Sequence, residues 1–134
     1  PQDNSNINPE DYVNTGIEFI DVLPIDGYTS EKDQSDIELA ASANFNWALP
    51  SDFMRTTKDF WATSSQHIAV SGDVTPAGKI LRVGIIEPDG IRRCIYATGS
   101  FSYPFPLDKT GFYCVYAIND NSEVVNLTGA YVTY

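Results

Sequence analysis

Apolar and polar residues alternate with a period of two along much of this chain. That spacing puts successive side chains on opposite faces of a β-strand. The longest run is DIELAASANFNWAL, residues 36–49, with Ile37, Leu39, Ala41, Ala43, Phe45, Trp47 and Leu49 on one face. Glu38, Ala40, Ser42, Asn44, Asn46 and Ala48 take the other. A helix would scatter those apolar residues around its circumference, so the run predicts a half-buried strand, bent at its Ala-rich centre.

Shorter elements follow the same reading. GIEFIDVL (16–23) places Ile17 and Phe19 in phase, breaks register at Val22 and Leu23, and ends at Pro24, a short strand. Residues 24–36 are turn formers and charges and read as a loop, after which Pro50-Ser51-Asp52 turns the chain. Two short strands are expected at 57–62 and 66–72. Residues 78–99 form the clearest hairpin, two Val/Ile-rich arms around Glu87-Pro88-Asp89-Gly90. There Pro presets φ for the turn and Gly accepts positive φ at its exit. In 99–107 Phe101, Tyr103, Phe105 and Leu107 alternate with Ser102, Pro104 and Pro106. Proline donates no ladder hydrogen bond, so this is an edge strand or a crossing between sheets. Residues 110–134 supply two closing strands around Asn119-Asp120-Asn121-Ser122.

Eight or nine short strands without a helical template predict an all-β fold, an antiparallel β-sandwich of jelly-roll or Greek-key connectivity. One such domain over 16–134, after a polar, aperiodic, flexible tail at 1–15, accounts for the 134 residues.

Charge changes the picture along the chain rather than in total. The net charge is −10. Ten acids against Lys32 alone place −9 of it in residues 1–38, and eight acids against seven bases leave −1 for the rest. Nucleic-acid binding depends on clustered Lys and Arg, and only Arg92-Arg93 are adjacent, so that partner class is disfavoured. No run approaches the ~18 apolar residues of a membrane-spanning helix. A start at Pro1, few Lys, many Tyr, Thr, Ser and Asn, and two Cys lean towards an exported protein, extracellular or on the cell surface, from which a signal or anchor was removed.

SGDVTPAGKILRVGIIEPDG (71–90), FPLDKTGFYCVYAIN (105–119) and VNLTGAY (125–131) resemble the small β-sandwich modules of secreted bacterial proteins, including those similar to the pre-peptidase C-terminal type. The resemblance covers residues 66–134. It implies a non-catalytic accessory module that binds glycans or other surfaces, and no particular ligand.

Cys94 and Cys114 stay open. With strand 99–107 between them in one sheet they would lie about 9.5 Å apart, too far to bridge. If that segment crosses to the other sheet, as the resemblance implies, the two strands can be neighbours and a Cys94–Cys114 disulfide can form; two buried thiols are the alternative.

Candidate chemistry is sparse. His67, the only histidine, lacks zinc-type spacing, a nucleophile elbow and a Cys partner, and reads as a surface residue. Eighteen acids always offer a glycosidase-like pair, which is therefore no signal. Calcium is the more serious cofactor expectation, on Asp26, Glu31, Asp33 and Asp36, or on Asn119, Asp120, Asn121 and Glu123. Both sets are oxygen-rich loops outside the EF-hand pattern, made of residues that also form ordinary turns. For carbohydrate, Trp61, Tyr96, Tyr113 and Tyr116 are the candidate aromatic platform, because Phe60 and Trp61 are adjacent and a regular strand sends one of them outward. Asn126-Leu127-Thr128 is a glycosylation sequon that matters only in a eukaryotic secretory pathway. The expectation is a non-catalytic extracellular module binding carbohydrate or another surface ligand, or alternatively a structural or protein–protein interaction module.

Overall fold

The computed structural model describes residues 2–34 and 42–134. It contains eleven strands among them: β1 (Phe19–Ile20), β2 (Thr29–Lys32), β3 (Ser42–Leu49), β4 (Phe53–Thr56), β5 (Phe60–Ala62), β6 (His67–Thr75), β7 (Leu81–Ile86), β8 (Arg92–Ala97), β9 (Gly99–Pro106), β10 (Gly111–Asn119) and β11 (Val125–Thr133). The first sheet runs β1-β8-β7-β10-β4-β2, with β5 also on β10, and the second runs β3-β11-β6-β9. All pairs are antiparallel except β2 on β4. The protein is an all-β sandwich.

From β5 onward the chain changes sheet at every connection except the β7–β8 hairpin. That hairpin is the one expected at 78–99. Strand β9 leaves for the edge of the second sheet, where prolines at 104 and 106 cost no ladder partner on the open side. Two strands were not expected: β2 within the segment read as a loop, and β4 directly after the 50–52 turn. The alternating run from 36 is seen as β3 from Ser42 onward; residues 36–41 lie outside the described residues.

Between the sheets, Phe45, Trp47, Leu127 and Val70 of the second meet Leu81, Val83, Val115 and Phe60 of the first. The Phe45 and Trp47 rings stack at 4.2 Å, and Phe60 stacks on Tyr131 at 4.1 Å. The first sheet is covered on its outer side as well. Phe19, Met54, Cys94, Tyr96, Tyr116 and Ile118 form a second apolar layer there, packed against Ile7, Tyr12, Ile25 and Tyr28. Burial on both faces explains why β7 and β10 read as continuous apolar runs and not as alternating ones.

The segment expected as a tail, residues 2–15, supplies part of that cover. Asn4 is buried, and its Nδ2 donates to Asp21 Oδ1 (2.9 Å) and to Tyr96 Oη (3.1 Å). A 3₁₀ turn at Pro9–Asp11, capped by the Asn8 side chain, carries the chain across the sheet.

Candidate interaction surface

The side chains a partner can meet are selected by a one-residue bulge. Thr56 lies opposite Tyr116 and Phe60 opposite Tyr113, so four steps along β4–β5 match three along β10. At the extra residue Thr57 bonds twice to Val115, its N–H donating to the carbonyl (2.9 Å) and its Oγ1 accepting from the amide (3.0 Å). Met54 and Thr56 face outward on β4; the bulge reverses the phase, sending Phe60 into the core and Trp61 out.

Trp61 is 54% exposed and packs edge-to-face on Phe112, 51% exposed, with centroids 5.1 Å apart at 81°. The pair sits at the end of the first sheet where the 87–90 turn, the 107–110 loop and residues 63–66 converge. Gly111 lies so close to Pro88 that a Cβ would come within 2.8 Å of the ring, and the Ser64 N–H donates to Thr110 Oγ1 (2.9 Å). Ile91 adds further exposed apolar surface beside the turn.

At the same end, a cavity of about 370 Å³ opens between β1, β8 and the end of β9. Ile20, Ile91 and Leu107 form its apolar wall, and Glu18, Glu87, Arg93 and Lys109 its ionic one. Arg93 Nε donates to Glu18 Oε1 (2.5 Å) and its Nη1 to Glu87 Oε2 (3.2 Å), while Lys109 Nζ donates to Glu87 Oε1 (2.7 Å) and meets Asp89 Oδ2 at 3.1 Å. The Glu87 hydrogen bond raises the Lys109 pKa, and the Ile91 amide followed by Lys109 lowers that of Asp89.

Of the four residues expected to form an aromatic platform, the structure leaves Trp61 on the surface. Tyr96, Tyr113 and Tyr116 are no more than 2% exposed, because β8 and β10 are buried on both faces. Trp61 and Phe112 stand nearly perpendicular, so they offer no flat stacking surface. Burial raises the phenol pKa values, to about 12 for Tyr96, and that of Tyr116 well above the ordinary value.

Cys94 and Cys114 are not bridged. Strand β7 lies between their strands, with Cys94 opposite Gly84 and Cys114 opposite Ile86. The Pro-rich segment does cross to the other sheet, as the bridged alternative required; the separating strand is the first arm of the hairpin. Burial pushes the thiols up, to about 12 and about 11.

The acidic loops are tied to protein donors. Asp33 accepts from Trp47 Nε1 (2.8 Å) and Arg55 Nε (2.7 Å), and Glu31 meets Arg55 at 3.6 Å. Asp26 lies in a turn, and Asp36 is outside the described residues. In the second loop Asn119 Nδ2 caps the carbonyls of Leu49 and Glu123, Asp120 binds Arg82, and Glu123 pairs with Lys79. Among the described residues no group of three or more His, Cys, Asp or Glu is gathered as for a metal ion. His67 stacks on Tyr134 at 5.3 Å.

Sequence reading missed Phe112, the cavity, and a buried ionic cluster centred on Arg82. Phe112 alternates with Tyr113 in a strand apolar on both faces, so its exposure becomes legible only once its register to Trp61 is known.

No family model matches the chain, and no curated protein matches it by sequence. Among solved structures, the periplasmic inhibitor of g-type lysozyme from Aeromonas hydrophila superposes with a TM-score of 0.57 over 80% of this chain and 97% of that one, at 15% identity. The fold is similar to that of PliG. A mutant of the Escherichia coli PliG also matches, at 12% identity and a TM-score of 0.47, over 80% of this chain and 99% of that one.

Proposed function

We propose that this chain is an exported, non-catalytic module that binds another protein, in the manner of an inhibitor of a cell-wall lytic enzyme, through the end of the sandwich that carries Trp61 and Phe112. The exposed aromatic pair carries the reading. Two large rings stay half in solvent on a sheet face that is otherwise covered, and Trp at the centre of a small apolar patch is the commonest kind of binding anchor. The PliG-like sandwich supports it by spanning nearly the whole of an inhibitor known to act on a protein. Burial of the three tyrosines favours a protein partner over carbohydrate.

The test measures lysis of a bacterial cell-wall suspension by a g-type lysozyme and by a lysozyme of another type, with the purified protein added. Inhibition of the g-type enzyme is expected. The variant Trp61→Ala/Phe112→Ala, which leaves the core intact, is expected to weaken inhibition by about thirtyfold or more, the scale of an anchor contributing roughly 2 kcal/mol. Inhibition of neither enzyme would remove lysozyme as the partner, and undiminished inhibition by the double variant would remove this surface.

A further inference from the structure

We infer that the cavity beside the 87–90 turn is a receptor for a single basic side chain, arginine or lysine, presented by the partner protein; this deepens the protein-binding reading. Its size falls at the low end of the ~300–1,000 Å³ of ligand pockets, suited to one side chain. The apolar wall of Ile20, Ile91 and Leu107 matches an aliphatic stem, as when Lys and Arg bury their methylenes and keep the charged head among polar groups.

The ionic wall decides the sign of the guest. Glu18, Glu87 and Asp108 face two cations, and Asp89 adds a fourth acid at the rim through Lys109. Both cations are already engaged by carboxylates. An incoming anion would have to displace these pairs, whereas a carboxylate with about four lone-pair sites can accept a further donor without losing its present one. Glu18 is held for this role, its Oε1 by Arg93 and its Oε2 by the Tyr103 hydroxyl (3.3 Å), with the Arg93 guanidinium in turn over the Phe105 ring. The net charge of −10 acts in the same sense, attracting a basic partner before contact.

The experiment titrates ¹⁵N-labelled protein with N-acetyl-arginine methylamide and, in parallel, with the isosteric neutral citrulline derivative, N-acetyl-glutamate methylamide and n-butylammonium. Saturable amide shifts confined to residues 18–20, 87–93 and 107–109 are expected for the arginine probe, with a dissociation constant on the order of 1 mM for so small a ligand. Asp108→Lys, at the exposed rim, is expected to weaken that binding about fivefold. Equal shifts with citrulline, or binding of the glutamate probe instead, would each overturn the assignment, whereas butylammonium shifts at the same residues would support it by way of the lysine side chain. Arginine binding without lysozyme inhibition would support the receptor while removing lysozyme. Lysozyme inhibition without arginine binding would overturn the receptor and keep the inhibitor.

Discussion

Replacing Arg82 with leucine would leave the fully buried Asp21 carboxylate with Tyr116 and Asn4 as donors, and with Arg92 at 3.5 Å as its remaining cation. In the intact protein Arg82 Nη1 reaches both Asp21 oxygens, at 2.9 and 3.2 Å, and its Nε and Nη2 clamp Asp120. Burial works against the Arg82 charge, but the Asp120 hydrogen bond and the Asp21 charge outweigh it and raise the pKa. Breaking a buried pair by removing one partner typically costs about 3–5 kcal/mol, and Arg82→Leu is expected in that range by urea unfolding; a loss under about 1 kcal/mol would refute it. The thiols give a second test. With both pKa values far above neutrality and both groups buried, neither cysteine is expected to react with a disulfide reagent in the native protein, and both to react in denaturant. At this scale the sequence showed which residues are aromatic and which acidic. It could not show that Asp21, one of ten acids in residues 1–38, would be buried, because that depends on a β7 arginine 61 positions away.

Among the elements, the β7–β8 hairpin and the alternation of β3 were legible because each depends on local chemistry, a Pro-Asp-Gly turn in one and an unbroken period of two in the other. Strand β2 was not, since all four of its residues are exposed and its parallel pairing to β4 leaves no apolar imprint. Separation of the cysteines was likewise beyond local pattern, being a matter of strand order. Close packing of β7 on β8 gives a sharp test: a Cβ on Gly84 would fall 1.8 Å from the Arg93 carbonyl oxygen. Backbone cannot yield as a flexible side chain would, so Gly84→Ala is expected to prevent folding, read as loss of cooperative unfolding. The bulge at Thr57 implies a different sensitivity. Deleting one residue from 57–59 would leave three steps between Thr56 and Phe60, matching the three between Tyr116 and Tyr113, so a regular ladder would keep Phe60 inward and Trp61 outward and the shortened segment is expected to be tolerated.

For the molecule as a whole, several tyrosines set the behaviour in alkali. Tyr96 and Tyr103 are each pushed up to about 12, Tyr113, Tyr116 and Tyr131 are raised as well, and burial is the leading cause for all five. The folded state therefore holds protons that the unfolded chain releases near pH 10. The resulting stabilisation is complete below that pH and is lost as pH rises through the folded-state values. Urea midpoints are expected to fall steadily above pH 10, with phenolate absorbance appearing together with unfolding; phenolates forming while the protein stays folded would contradict this. The two-sheet architecture was legible in the count and spacing of strands, whereas the second apolar layer was not, because the residues that complete it look like a polar tail. Its side-chain bonds span great lengths of chain, from Asn4 to Tyr96 and from Asp21 to Tyr116. Non-local closure of this kind slows folding. The opening segment is thus made before the strands it docks on and is among the last to find its partners, and a chain stopped before β10 is complete holds it with no finished surface on which to dock.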